Sequence, residues 1–151
     1  MRRFTLSFAR PLANATSFFD FDQAMTLSAL LSIALGAVLG AWLRYALGLW
    51  LNPLFGAVPL GTLAANLAGG YLIGMAVAVF HINVELPSEL RLFFVTGFLG
   101  ALTTFSTFSA EVVALLRTAQ YGWALGAASL HLFGSLLMTG LGIWTIQRLA
   151  N

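Results

Sequence analysis

The chain is 151 residues long, 60% hydrophobic and only 8% charged, with a mean hydropathy of +0.91. Soluble domains are about 25% charged, so this composition puts the protein surface in lipid and leaves no room for a soluble catalytic domain. The formal charge of +2 comes from seven Arg and no Lys against five acids. Those residues are scattered, which excludes a nucleic-acid footprint, and the absence of cysteine excludes disulfides, thiol nucleophiles and thiolate metal sites.

Residues 1–24 hold Arg2, Arg3, Arg10, Asp20 and Asp22 among aromatics. No apolar run long enough for a signal-peptide core follows the arginines. The segment reads as a loose or amphipathic leader, or as the product of an upstream start codon with the working protein beginning at Met25. Residues 25–151 form the second unit, a four-helix transmembrane domain. Its apolar runs are Leu27 to Leu51, Leu60 to Phe80, Leu92 to Leu116 and Trp123 to Ile146. A span takes ~20 residues at ~1.5 Å each, so each run can cross a bilayer.

In the first run Gly36, Gly40, Arg44 and Gly48 repeat every four residues and share a face. Gly36 and Gly40 permit close helix approach. Arg44 then either points at a partner helix or aqueous vestibule, or snorkels at the helix end and anchors the span. The second run repeats the arrangement with Thr62, Asn66, Gly70 and Gly74. Asn66 reads as interhelical glue or as one donor of a polar stripe facing an anion.

The third run holds Gly97-Phe98-Leu99-Gly100-Ala101-Leu102-Thr103-Thr104-Phe105-Ser106-Thr107-Phe108-Ser109. This is poor material for an uninterrupted helix and predicts a break, which a membrane tolerates where the backbone is buried in protein or binds an ion. Phe105 and Phe108 share a face, as ordinary packing residues or as more. Glu111, the one acid within a run, suits proton carriage or a hydrated, helix-capping or partner role equally. In the fourth run His131, Ser135 and Thr139 lie at i, i+4 and i+8. A lone membrane His serves hydrogen-bonded structure or a proton relay.

From Met25 onward, Arg91 and Arg148 fall on the side of the termini, and Arg44 and Arg117 on the other. Such a balance sets no orientation, and a chain without orientation bias can insert both ways and pair antiparallel with itself. Including residues 1–24 tips the balance toward cytoplasmic termini.

Four segments together resemble the Fluc or CrcB fluoride channels: Gly36 to Arg44, Pro59 to Gly69, Thr96 to Glu111 and the Gly-Ser of the last run. The T-T-F-S-T-F run after G-x-x-G is the most specific of these. The resemblance implies an all-α membrane protein of four transmembrane helices, the third broken at mid-membrane, assembled as an antiparallel dual-topology homodimer in the bacterial inner membrane. It implies passive, selective fluoride export and no enzymatic activity. The fluoride pathway it implies is lined by Asn66, Phe105, Ser106, Thr107, Phe108 and Ser135, with Arg44 at the vestibule and Thr62 nearby. A structural Na⁺ is implied at the dimer interface, held by the backbone carbonyls of Gly100 and Thr103, with Gly100 in a strained turn. Amide and hydroxyl donors and positive aromatic edges suit a strongly hydrated anion. The chain departs from the family pattern at Ala127 and His131, where Tyr and Ser are usual.

Two other classes fit less well. A small multidrug transporter is also a four-span dual-topology dimer, but it needs a carboxylate in the first span, where this chain has Arg44. An intramembrane protease needs a Gly-x-Ser-Gly turn, which precedes no Ser here.

Overall fold

A computed structural model describes residues 26–150. The leader expected at residues 1–24 and the start at Met25 lie outside the described residues. Helix α1 spans Leu27–Leu51 and α2 spans Leu60–Ile82. The third apolar run forms α3, residues 88–102, and α4, Phe105–Arg117. Helix α5 covers Tyr121–Leu149. Taken as spans, Leu27–Leu54, Leu60–Ile82, Ser88–Arg117 and Tyr121–Leu149 are each long and apolar enough to cross a membrane.

Local chemistry sets the ends of these helices. Thr26 caps α1 by accepting from the Ala29 amide at 3.1 Å. At the other end Asn52-Pro53 stops α1 in a short 3-10 turn, Asn52–Leu54. The Asn52 carbonyl oxygen Oδ1 then accepts from the Gly61 amide at 2.8 Å and so caps the start of α2. Thr104 caps α4, its hydroxyl accepting from the Thr107 amide at 3.1 Å.

Helices meet backbone to backbone at several seams, α1 with α2 at Gly61, where a Cβ would strike Gly48 Cα and the Leu47 carbonyl, and two longer ones. A Cβ on Gly36 would run into the Phe93 carbonyl and the Phe98 amide, one on Gly40 into the Phe98 carbonyl, and one on Gly97 into the Ile33 carbonyl. Helix α1 therefore lies directly on α3, and the G-x-x-x-G reading of the first run is realised as an intrachain contact. On the other side α2 lies on the end of α5, where a Cβ on Gly74 would strike the Thr139 carbonyl and one on Gly142 the Tyr71 carbonyl. Tyr71 Oη donates to Thr145 Oγ1 at 3.1 Å across this seam. With little apolar driving force between helices in lipid, such close approach supplies dispersion contacts along the whole seam.

A test follows from these distances. Gly40→Val places a branched side chain against backbone that cannot yield, and should destabilise the fold by about 3 kcal/mol or more. Gly126→Ala meets open space and should leave stability unchanged or slightly raised. Thermal unfolding in detergent, followed by tryptophan fluorescence, checks the pair; equal behaviour of the two variants would refute the seam.

Two stretches widen into π-helix, Leu92–Leu99 in α3 and Leu130–Gly134 in α5. Their sequences gave no warning, because a π-turn follows from how neighbouring helices seat rather than from local propensity. Such segments collect at functional sites, and the second one carries His131.

Candidate functional site

Between α3 and α4 the helix path is interrupted at two residues. Thr103 has φ −80°, ψ 154° and Thr104 has φ −151°, ψ 113°, both extended. The interruption falls after the glycines rather than on them. Gly100 is helical at φ −61°, ψ −34°, and a Cβ there would make only ordinary contact with the Val95 carbonyl at 3.6 Å. The strained turn expected at Gly100 is absent; the extended backbone is carried by two threonines, for which such dihedrals are ordinary.

Asn66, buried on α2, holds this interruption in place. Its Oδ1 accepts from the Thr104 amide at 2.8 Å, and its Nδ2 donates to the Thr104 carbonyl at 3.1 Å. A side-chain amide thus substitutes for the two backbone partners that Thr104 would have had in a continuous helix, satisfying polar groups that hydrocarbon cannot. The substitution also has a consequence for the carbonyls on the N-terminal side. The Thr104 amide, which would bond the Gly100 carbonyl in an α-helix, goes to Asn66 instead. The Thr107 amide, which would bond the Thr103 carbonyl, goes to Thr104 Oγ1. Both carbonyls are released from the helical ladder.

The second Nδ2 contact of Asn66 is to Nδ1 of His131 at 2.9 Å. His131, on α5, is only 4% exposed, and its ring stacks on Phe108 with centroids 4.7 Å apart and 21° between planes. Phe108 in turn meets Phe105 edge to face at 5.1 Å and 77°. Asn66, Thr104, Phe108 and His131 therefore form one connected cluster from three of the four spans.

This cluster lines a cavity of about 770 Å³ between α2, α3, α4 and α5. Of the pathway and Na⁺ residues that the resemblance implies, Asn66, Gly100, Thr103, Phe105, Phe108 and Ser135 line it. Phe105 stands 79% exposed at its margin. Ser106 and Thr107 do not line it; both approach Thr104 Oγ1, at 3.3 and 2.9 Å, and belong to the cap of α4. Thr62 is buried and donates to Glu111 Oε1 at 2.5 Å, which ties α2 to α4 and gives the in-span acid a partner. Arg44 lies half-buried on α1, away from the cavity lining.

Thr104 went unremarked among the sequence candidates although it organises the site. The signal available was its place three residues before Thr107 at the start of a helical run, an N-cap position. The Thr62–Glu111 and Asn66–Thr104 bonds join residues 49 and 38 positions apart, and no local pattern announces them.

Comparison with known proteins places these residues in a family context. The family model described as CrcB-like protein, Camphor Resistance (CrcB), matches residues 31–143. A protein of Nitrosospira multiformis is 62% identical over 127 residues, covering 84% of this chain and 99% of that relative. One of Dechloromonas aromatica is 62% identical over 116 residues, 77% of this chain and 86% of its own. One of Pseudomonas putida is 59% identical over 119 residues, 79% and 94%. Each of the three relatives carries the name fluoride-specific ion channel FluC.

Proposed function

The chain belongs to the CrcB family, and from that membership we propose that it is a fluoride-selective channel through which F⁻ leaves the cytoplasm passively, lowering cytoplasmic fluoride. It is a multi-pass protein of the bacterial inner membrane and a transport protein rather than an enzyme. The observation that carries the reading at this chain's own residues is the cavity at the α3–α4 interruption. There an amide, an imidazole and hydroxyls stand among apolar walls and aromatic rings. Such a lining can replace part of an anion's hydration with neutral donors and ring edges, and lets the ion go again because no full charge grips it.

The pathway in this reading runs along Asn66, Phe105, Phe108 and Ser135. Ser106 and Thr107 shape it through the α4 cap, Thr62 is held by Glu111, and Arg44 serves as a charge at the mouth that raises local anion concentration. Passive transport is favoured by the engagement of Glu111, the acid deepest in a span among the described residues, with Thr62.

The working unit in this proposal is an antiparallel homodimer of dual topology, its third span broken at mid-membrane depth. Two features support that assembly: the even distribution of Arg44, Arg91, Arg117 and Arg148, and the large exposed face around Phe105 beside the cavity. A structural Na⁺ fits the same proposal. A hard cation takes oxygen ligands, and the carbonyls of Gly100 and Thr103 have lost their helical donors to Asn66 and Thr104. Both residues line the cavity. The ion would supply a fixed positive charge at the seam of the two subunits; the chain's part is to free those carbonyls.

The direct test is efflux from proteoliposomes loaded with fluoride or chloride. Fluoride should leave at least about 100-fold faster than chloride. Equal rates, or no fluoride efflux from correctly folded protein, would end the reading.

A further inference from the structure

Successive glycines of α1 face carbonyls of α3 that are not spaced as an α-helix would space them. A Cβ on Gly36 would strike the Phe93 carbonyl and the Phe98 amide, and one on Gly40 the Phe98 carbonyl and the Leu102 amide. The step from Phe98 to Leu102 is the ordinary four residues, but the step from Phe93 to Phe98 is five. At about 100° per residue, α-helical carbonyls five apart would point about 140° away from one another. Here both are aimed at α1. The difference is absorbed by the π-helical segment Leu92–Leu99, at whose end the Gly100 amide, shared with the Gly97 carbonyl, reaches back to that of Val95. By Thr103, whose amide donates to the Leu99 carbonyl at 3.0 Å, the α-helical ladder has resumed. Helix α3 thus carries one residue more than an unbroken α-helix would need to meet α1 at both glycines.

The seam leaves α3 little freedom to shed that residue by turning. Gly97, inside the π-helical segment, lies against the Ile33 carbonyl and Gly36 Cα, so backbone meets backbone with no side chain between to be repacked. Everything beyond Phe98 is therefore turned by one residue from where an α-helix rising from Phe93 would put it. In such a helix Leu99 and Leu102 would take the places of Gly100 and Thr103, and Thr103 that of Thr104. The two leucines, buried against Ala65 of α2, would swing toward the cavity that Gly100 and Thr103 line. Asn66 would meet Thr103 instead of Thr104, whose amide and carbonyl it holds at 2.8 and 3.1 Å.

We propose that α1, through Gly36 and Gly40, sets the rotation at which α3 enters the Thr103–Thr104 interruption, and that the π-helical turn takes up the one surplus residue this demands. Neither glycine lines the cavity. Both act as positioning residues, deciding from behind α3 which of its backbone groups reach the cavity and which threonine Asn66 holds. The proposal rests on the fluoride-channel reading and gives residues outside the pathway a part in it.

Single-residue deletions separate this role from simple packing. Thr96 is exposed and lies within the π-helical segment. Its removal brings Phe93 and Phe98 to α-helical spacing, with both glycine contacts and every residue beyond Phe98 left in place. Fluoride efflux from proteoliposomes should then stay within about threefold of the full-length rate, as for a structurally neutral change. Removal of Ala101 instead shortens the α-helical step from Phe98 to Leu102 and turns the interruption by about 100°. That variant should release fluoride about tenfold more slowly or worse. Thermal unfolding and particle size, measured on the same preparations, report folding. A Thr96 deletion that does not fold, one that folds but loses efflux, or equal efflux from the two deletions would each overturn the proposal. Where the Ala101 deletion fails to fold, the Thr96 deletion decides alone. Full-length protein that folds but releases no fluoride would instead remove the channel reading, while the unfolding temperatures of the two deletions would still report whether α1 sets the register of α3.

Discussion

Asn66→Asp should reduce fluoride efflux about 100-fold while the protein still folds and inserts. The two side chains are nearly isosteric, so the bond from the Thr104 amide survives on one carboxylate oxygen. The other oxygen replaces the nitrogen that donates to the Thr104 carbonyl and to His131 Nδ1. It sets acceptor against acceptor at Thr104 and removes the N–H that faces His131 Nδ1. A new negative charge also stands beside the anion's path. At about 6 Å and an effective dielectric near 20 the repulsion is about 3 kcal/mol, or roughly two decades of rate. Asn66→Ser, which removes the bonds without adding charge, should lose less. Efflux from proteoliposomes with matched protein content gives the ranking, and an Asp variant that conducts as well as the Ser variant would mean that no anion passes this point.

That pairing of Asn66 with Thr104 marks where the sequence was legible and where it was not. The four spans followed from apolar runs bounded by Asn52-Pro53, the polar stretch to Pro87 and the turn after Arg117, because lipid imposes length and composition on any helix that crosses it. The interruption was foreshadowed by a run of Ser, Thr and Phe with poor helical tendency. Its location at Thr103 and Thr104 was not, since a buried amide 38 residues away decides which backbone amide leaves the ladder. Gly100 misled for a related reason: a glycine in a doubtful stretch suggests a turn, yet here it continues a helix at φ −61°. The π-helical turns and the partner of Glu111 likewise depend on how whole helices seat against one another. His131 stood out as a lone polar group, but its contact with Asn66, 65 positions away, is one that no local pattern announces. The resemblance to fluoride channels supplied what local patterning could not, namely which polar stripes belong to one pathway.

Phe105 and Phe108 offer the sharpest separation of transport from folding, because the two rings are so differently placed. Phe105 is 79% exposed in the single chain and touches Phe108 edge to face, an arrangement worth about 0.5–1.5 kcal/mol. Phe105→Ile should therefore leave the fold of one chain nearly unchanged. Phe108 is half-buried against the His131 ring, and Phe108→Ile should lower stability by about 1–2 kcal/mol through lost stacking and packing. Isoleucine preserves bulk and apolarity at both positions but has no quadrupole and hence no positive edge to meet an anion. Both variants should slow fluoride efflux by at least about tenfold, with Phe105→Ile the more informative since it costs the fold little beyond the edge-to-face contact. Phe105→Tyr and Phe108→Tyr, which keep the ring, should restore a measurable part of the rate. Efflux, thermal stability and oligomer size measured on the same preparations separate the effects. Normal efflux in both isoleucine variants would show that the anion passes without using the rings, and would move the pathway away from the α3–α4 interruption.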